Sequence, residues 1–327
     1  MTGDLATLPK AHLHVHLEGA MRPGTLADLA EAAGVEMPQV RGYRSFTEFG
    51  DRYRAASALV ATPDDLRRVV REVVEDDAAD GAVWVEPHFY PFRYTGIPGF
   101  GDADDVTAVV VEEARRTADR LGIGCGIMIS ALRDAPPEQA VELARLAARF
   151  AGRGVVSFGL AADESLFGPE PFAEAFAIAR DAGLISAPHA GELAGPESVL
   201  GALDALGAQR ICHGVRSVED PALLDRLASD GIVLDVCPTS NVMLEVVPDL
   251  DRHPLVRLLD AGVRCTLNGD DPLLFGPGLL AEYELARTSF GLDDARLAAM
   301  ARTSVEASGA PPEIVRPALD RIGAWTA

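Results

Sequence analysis

Three histidines recur at alternate positions in "KAHLHVHLEG" (10–19), within a chain that has only seven. On an extended strand, side chains two apart share a face, so His12, His14 and His16 stand together, opposite Leu13, Val15 and Leu17. Further imidazoles and carboxylates fall where other apolar runs end: His189 and Glu192 in "PHAGE", His213 in "CHG", and Asp270 and Asp271 in "NGDDP". Three imidazoles and one carboxylate suit a catalytic zinc, which takes neutral His nitrogen and carboxylate oxygen and keeps one position open for water. The expected ligands are His14, His16, His189 and Asp270, holding one Zn2+ per chain. Zinc lowers the pKa of its water to about 7. His213 is then expected to accept the water proton and hold the attacking oxygen, and Glu192 to donate a proton to the substrate. A metal-activated hydrolase is implied.

The remaining polar candidates have plainer readings beside the chemical one. His12 lies one step deeper than the ligand pair and is expected in the core or behind the ligands. His88 either touches substrate or has an exposed structural role, and His253, in the loop "DRHPL", is expected at the surface. Asp163 and Glu164 in "AADES" are either site carboxylates or loop and cap acceptors. Cys212 adjoins His213, but neighbours on a strand face opposite ways, which excludes a Cys/His nucleophile.

These residues need a scaffold that gathers strand ends. Eight candidate strands alternate with alanine-rich helical stretches: 11–17, 83–89, 123–130, 155–161, 185–192, 210–214, 232–238 and 263–272. With no linker between the units, the expected fold is a single (β/α)8 barrel spanning residues 1–327, whose reactive groups lie at the C-terminal ends of the strands. No Gly-rich phosphate turn supports the competing open sheet. Residues 42–62, "GYRSFTEFGDRYRAASALVAT", form an aromatic insertion after the first strand. Phe46, Phe49 and Tyr53 either pack it on the barrel as an ordinary helix or present it over the mouth as a lid.

A net charge of −21 would repel a polyphosphate backbone, which argues for a small-molecule substrate and against a nucleic acid partner. The chain has no run of apolar residues long enough for a membrane span and no export signal in its first ten residues, and its four cysteines are widely spaced. A cytoplasmic protein with reduced thiols is expected.

Taken together, "LPKAHLHVHLEGA", "PHAGE", "RICHG", "CPTSN" and "NGDDP", in this order, resemble the motifs of the adenosine deaminase family of metal-dependent amidohydrolase barrels. The resemblance implies that Glu192 protonates N1 of a purine, that Asp271 hydrogen-bonds N7, and that attack at C6 releases ammonia. The leading expectation is conversion of adenosine and 2′-deoxyadenosine to inosine products, with adenine or a 5′-modified adenosine such as aminodeoxyfutalosine as the alternative substrate. A nucleoside-binding protein without turnover is a remote alternative. Where the family commonly has an Asp for the sugar 5′-hydroxyl, this chain has Glu18; where it has a Gly that meets purine N3, this chain has Ala162; and Gly269 replaces a usual Ser or Thr. His16, Glu18, Ala162, Asp271, Phe46 and Phe49 are therefore the expected substrate-contacting set.

Overall fold

A computed structural model describes residues 3–326. Runs rich in Val, Ile and Leu, buried on both faces, form ten parallel strands: β1 Lys10–His16, β2 Ala82–Phe89, β3 Gly124–Cys125, β4 Ile127–Leu132, β5 Val155–Ala161, β6 Ile185–Ser186, β7 His189–Ala190, β8 Arg210–His213, β9 Val233–Val236 and β10 Arg264–Leu267. One sheet runs β1-β2-β4-β5-β6 with β3 paired to β2, and the other runs β10-β9-β8-β7. The two are joined twice. On one side the segment 185–190 bonds to both, Ala187 N–H to Phe158 and the Pro188 carbonyl to Cys212 N–H. On the other, Asp270 exchanges backbone hydrogen bonds with β1, donating to His14 and accepting from His16.

The result is the expected α/β barrel, with each expected strand present in order. Two expected strands are interrupted. The run 123–130 is split at Gly126 into β3 and β4, and the run 185–192 at Ala187–Pro188 into β6 and β7, because Pro188 has no N–H for the ladder. The last strand is also shorter than 263–272: it ends at Leu267, and Pro272–Phe275 is already a short helix.

The helices between strands carry strong start signals. Thr62 with Asp65, and Asp102 with Asp105, form reciprocal caps at the starts of helices Pro63–Ala79 and Ala103–Leu121, and Gly122 ends the second at φ 72°. The base of the barrel is filled by an ion cluster that sequence patterning does not reveal. Arg210, 1% exposed, lies 2.7 Å from Glu86 and 3.1 Å from Asp235, both fully buried. All four cysteines are free, and no helix among the described residues is long and apolar enough to cross a membrane.

The insertion is a helix, Phe46–Ser57, started by Ser45, whose hydroxyl accepts from Glu48 N–H. Phe49 stacks on Phe275 at 5.3 Å and meets Tyr43 edge-on at 5.5 Å. That contact ties the insertion to the loop after β10, so both readings of it converge: it packs on the barrel and also walls the mouth.

His253 is a correction. Expected at the surface, it is only 6% exposed, with its ring 5.3 Å from Phe290 and Nε2 3.2 Å from Asn241 Oδ1. Its loop folds inward because the imidazole is bonded at both nitrogens, Nδ1 accepting from Leu255 N–H. Burial pushes its pKa down to about 4. Below the unfolded value the denatured chain takes up a proton that the folded chain refuses, so stability falls as pH drops through this window. The expected loss is about 2 kcal/mol between about pH 7.5 and about pH 5. Urea unfolding of the wild type and His253→Gln at both pH values measures it; equal pH slopes for the two proteins would remove His253 as the cause.

Candidate active site

β1 bulges between His12 and Val15, so two of its backbone donors leave the ladder. Asn268 Oδ1 takes both, at 2.9 Å from Leu13 N and 3.1 Å from His14 N. The side chain of His14 is held by its far nitrogen, Nδ1, 3.3 Å from the Asp235 carbonyl. Its Nε2 is buried without a hydrogen-bond partner and lies 3.3 Å from Asp270 Oδ1. His16 Nε2 lies 3.3 Å from the same oxygen. Ligand atoms of His14, His16 and Asp270 all fall within 4.8 Å of one another, as do those of Glu192, His213 and Asp270.

His189, the remaining expected ligand, lies beside these groupings without joining them. Its ring centroid is 4.7 Å from that of His14 and 5.3 Å from that of His16, and its donor atom groups with His14, His88 and Cys212. Burial, reinforced by the neighbouring His14, pushes its pKa well below the usual value, so it is a neutral imidazole. Two converging imidazole nitrogens, a third neutral imidazole beside them, a shared carboxylate oxygen and an orphaned buried Nε2 together fit a zinc-type ion.

The carboxylates around this cluster are in opposite states. Burial disfavours the charge of Asp270, but His14 outweighs it and holds the carboxyl well below the usual range. Burial, with Asp270 beside them, pushes both Glu192 and Asp271 well above theirs. The negative charge is thus drawn to Asp270, and the protonated, donating forms of Glu192 and Asp271 are favoured beside it.

Glu192 is aimed by a residue that the sequence reading left open. Glu164 accepts four backbone N–H bonds, from Gly191 (2.5 Å), Glu192 (2.9 Å), Leu193 (2.9 Å) and Ala194 (3.2 Å), and so fixes the loop after β7. Glu164 is a loop anchor. Asp163 instead bonds Ser165. Asp271 has an equally close support. A Cβ on Gly19 would fall 1.6 Å from Asp271 Oδ1, so only glycine lets the two loops meet. We expect Gly19→Ala to displace Asp271 and lower kcat/KM roughly 10–100-fold, the equivalent of one buried polar contact, at unchanged metal content. Wild-type kcat/KM in that variant would refute a role for the Asp271 position.

Beside the cluster opens a cavity of about 400 Å3. It is lined by every residue expected to touch substrate: His16, Glu18, Ala162, Asp271, Phe46 and Phe49. Glu192, His213, Asp270, His189 and His88 line it too, while His14 sits deeper. Ala162 holds φ 77°, a region disfavoured for any residue with a Cβ by about 1–2 kcal/mol. His213 and Asp270, at φ 67° and 59°, share this strain, so three of the four such non-glycine residues among those described lie at the cavity.

Glu18 is not a free acceptor. It is 3% exposed; Tyr53 donates to one carboxylate oxygen at 2.8 Å and Tyr94 to the other at 2.7 Å, with Arg93 3.7 Å away. Neither tyrosine carries a local sequence signal for this role, since the contact is made between the insertion, the first loop and the second.

The other histidines are structural. His12 Nδ1 meets Asp77 at 2.7 Å and its Nε2 accepts from Gly269 N–H at 2.9 Å, steadying the loop that bears Asp270. His88 is buried rather than exposed: it stacks on His14 at 4.9 Å and bonds the Leu13 carbonyl. One face of it still borders the cavity.

A family model described as adenosine deaminase matches residues 9–325. A Streptomyces coelicolor protein, whose own assignment as an adenosine/adenine deaminase is provisional, is 45% identical, the match covering 98% of each chain. The crystal structure of adenine deaminase from Arthrobacter aurescens superposes with a TM-score of 0.89 at 28% identity, over 97% of this chain and 99% of that one. A Burkholderia ambifaria amidohydrolase with bound zinc superposes with a TM-score of 0.87 at 30% identity, over 98% of this chain and 90% of that one.

Proposed function

Because the chain belongs to the adenosine deaminase family of metal-dependent enzymes acting on C–N bonds, we propose that it hydrolyses the 6-amino group of adenine, the free base, in preference to adenosine. The observation that carries this choice is Glu18. At the position where a nucleoside deaminase would offer a carboxylate to the sugar, both oxygens already accept from tyrosines, the half-buried Tyr53 and the buried Tyr94. Each oxygen keeps one acceptor site, so a ribose 5′-hydroxyl would meet a carboxylate whose charge is already shared between two phenols and is a weaker anchor for a sugar. A base without a sugar leaves the pair intact. The structural likeness to adenine deaminase from Arthrobacter aurescens supports the same reading.

The described chain acts as one catalytic unit in this reading. His14, His16, His189 and Asp270 would hold one zinc ion, the metal present in the Burkholderia ambifaria structure. Bound there, zinc would lower the pKa of a water to about 7 and supply the nucleophile at neutral pH. His213 faces the attacking oxygen from the side of Asp270 and Glu192. Glu192, protonated and buried, transfers its proton to ring N1 as C6 is attacked, which lets the ring accept the electron pair. Asp271, also protonated, donates to N7 and fixes the base in plane. Glu192, now ionised, takes the proton of the added oxygen and passes it to the 6-amino group, which leaves as ammonia while a 6-oxo purine with N1–H remains.

Ammonia release from adenine and adenosine, on protein of assayed zinc content, tests the choice. We expect kcat/KM for adenine to exceed that for adenosine by roughly 100-fold or more. Equal or better turnover of adenosine would restore the nucleoside reading and make Glu18 a sugar ligand.

A further inference from the structure

Behind His213 runs a buried chain of hydrogen bonds that the reaction above does not use. Asn241 Nδ2 lies 3.3 Å from His213 Nδ1, and Asn241 Oδ1 lies 3.2 Å from His253 Nε2. The chain ends at His253 Nδ1, 3.2 Å from the backbone nitrogen of Leu255. Asn241 is fully buried and His213 is 1% exposed. Each link has a direction, and the last one sets all the others. A backbone N–H can only donate, so His253 Nδ1 accepts and its proton sits on Nε2. That proton needs an acceptor, which orients the Asn241 amide with Oδ1 toward His253. The amide nitrogen then faces His213 and donates to Nδ1. Neutral His213 therefore carries its proton on Nε2, the nitrogen 3.5 Å from Glu192 and 3.9 Å from Asp270.

We propose that Asn241 and His253 are positioning residues that hold His213 as an Nε2–H donor toward the attacking oxygen, in place of the proton-accepting role that its sequence position suggests. The inference rests on the deaminase reading for its catalytic meaning, but the proton's location does not. Asn241 is well fixed for the task, its own N–H bonding Cys237 and its carbonyl accepting from Val247. A histidine that merely capped the helix Leu255–Asp260 would leave the proton of His213 indifferent to residue 253.

The test is the tautomer of His213 in zinc-loaded protein with nitrogen-labelled histidine, read by NMR without substrate. His213→Asn identifies the signal by its loss. We expect Nδ1 unprotonated and Nε2 protonated in the wild type. Asn241→Asp places an acceptor against Nδ1 and should move the proton there, lowering kcat roughly 100-fold with KM within about twofold. His253→Gln keeps a donor toward Asn241 and should retain the wild-type tautomer, whereas His253→Leu should lose it. A wild-type Nδ1–H tautomer overturns the proposal, as does an unmoved proton in Asn241→Asp or a rise in KM without a fall in kcat. A protein that deaminates no purine overturns the deaminase reading and leaves the tautomer to decide this one.

Discussion

Glu192→Gln should lower kcat for purine deamination by roughly 10²–10⁴-fold, the usual contribution of a positioned general acid, while zinc content and KM stay near wild type. Glutamine keeps the size of the side chain and can still donate a hydrogen bond, but it has no proton to give up. The loop that carries it is secured by its backbone, through the four N–H bonds to Glu164, so the substitution leaves the scaffold untouched. The grouping of His14, His16 and Asp270 does not include the Glu192 carboxyl, because Asp270 Oδ1 is shared by His14 and His16. The expected pattern is an enzyme that binds base and metal and does not turn over. A kcat within tenfold of wild type would show that N1 receives its proton from another group, and Asp271, also protonated, is the neighbour that would then need testing.

The same pair of residues marks where the sequence was legible. Periodicity and strand-end histidines exposed the barrel and its polar mouth, because each of those signals is local: apolar runs make strands, and alternate residues share a face. His14, His16, Asp270, Glu192 and His213 could be read for that reason. What escaped was set by contacts between distant segments. Glu164 looked like any loop carboxylate until the chain folded it under residues 191–194. Tyr53 came to Glu18 from the insertion helix and Tyr94 from the loop after β2, and that meeting, rather than the identity of residue 18, is what turns the proposed substrate from adenosine to adenine. His253 was misplaced because a polar residue beside a proline in a loop reads as exposed, whereas here its two ring nitrogens are both satisfied inside. The split between β6 and β7 follows from a single residue, Pro188, whose effect on a ladder is small in a propensity count and decisive in the hydrogen bonding.

Asp270→Asn is the variant with the opposite expected pattern: loss of stoichiometric zinc, and a fall in kcat/KM of about 10³-fold or more. The backbone at this position makes the test clean. Asp270 sits at φ 59°, where asparagine is among the residues best tolerated, and its N–H and carbonyl bonds to β1 need no side chain. The barrel seam should therefore survive. What disappears is the single negative charge that His14 and His16 face and that pushes Glu192 and Asp271 toward their protonated forms. Without it the imidazoles have no carboxylate beside them to fix the ion, and the two acids lose the neighbour that favours their protonated forms. Metal analysis and ammonia release on the same preparation read both effects. A variant that retains one zinc per chain and near-wild-type turnover would remove Asp270 from the ligand set and shift that role to the neighbouring grouping of His14, His88, His189 and Cys212. A variant that loses zinc and activity together, beside a Glu192→Gln enzyme that loses activity alone, separates the residue that holds the ion from the residue that moves the proton.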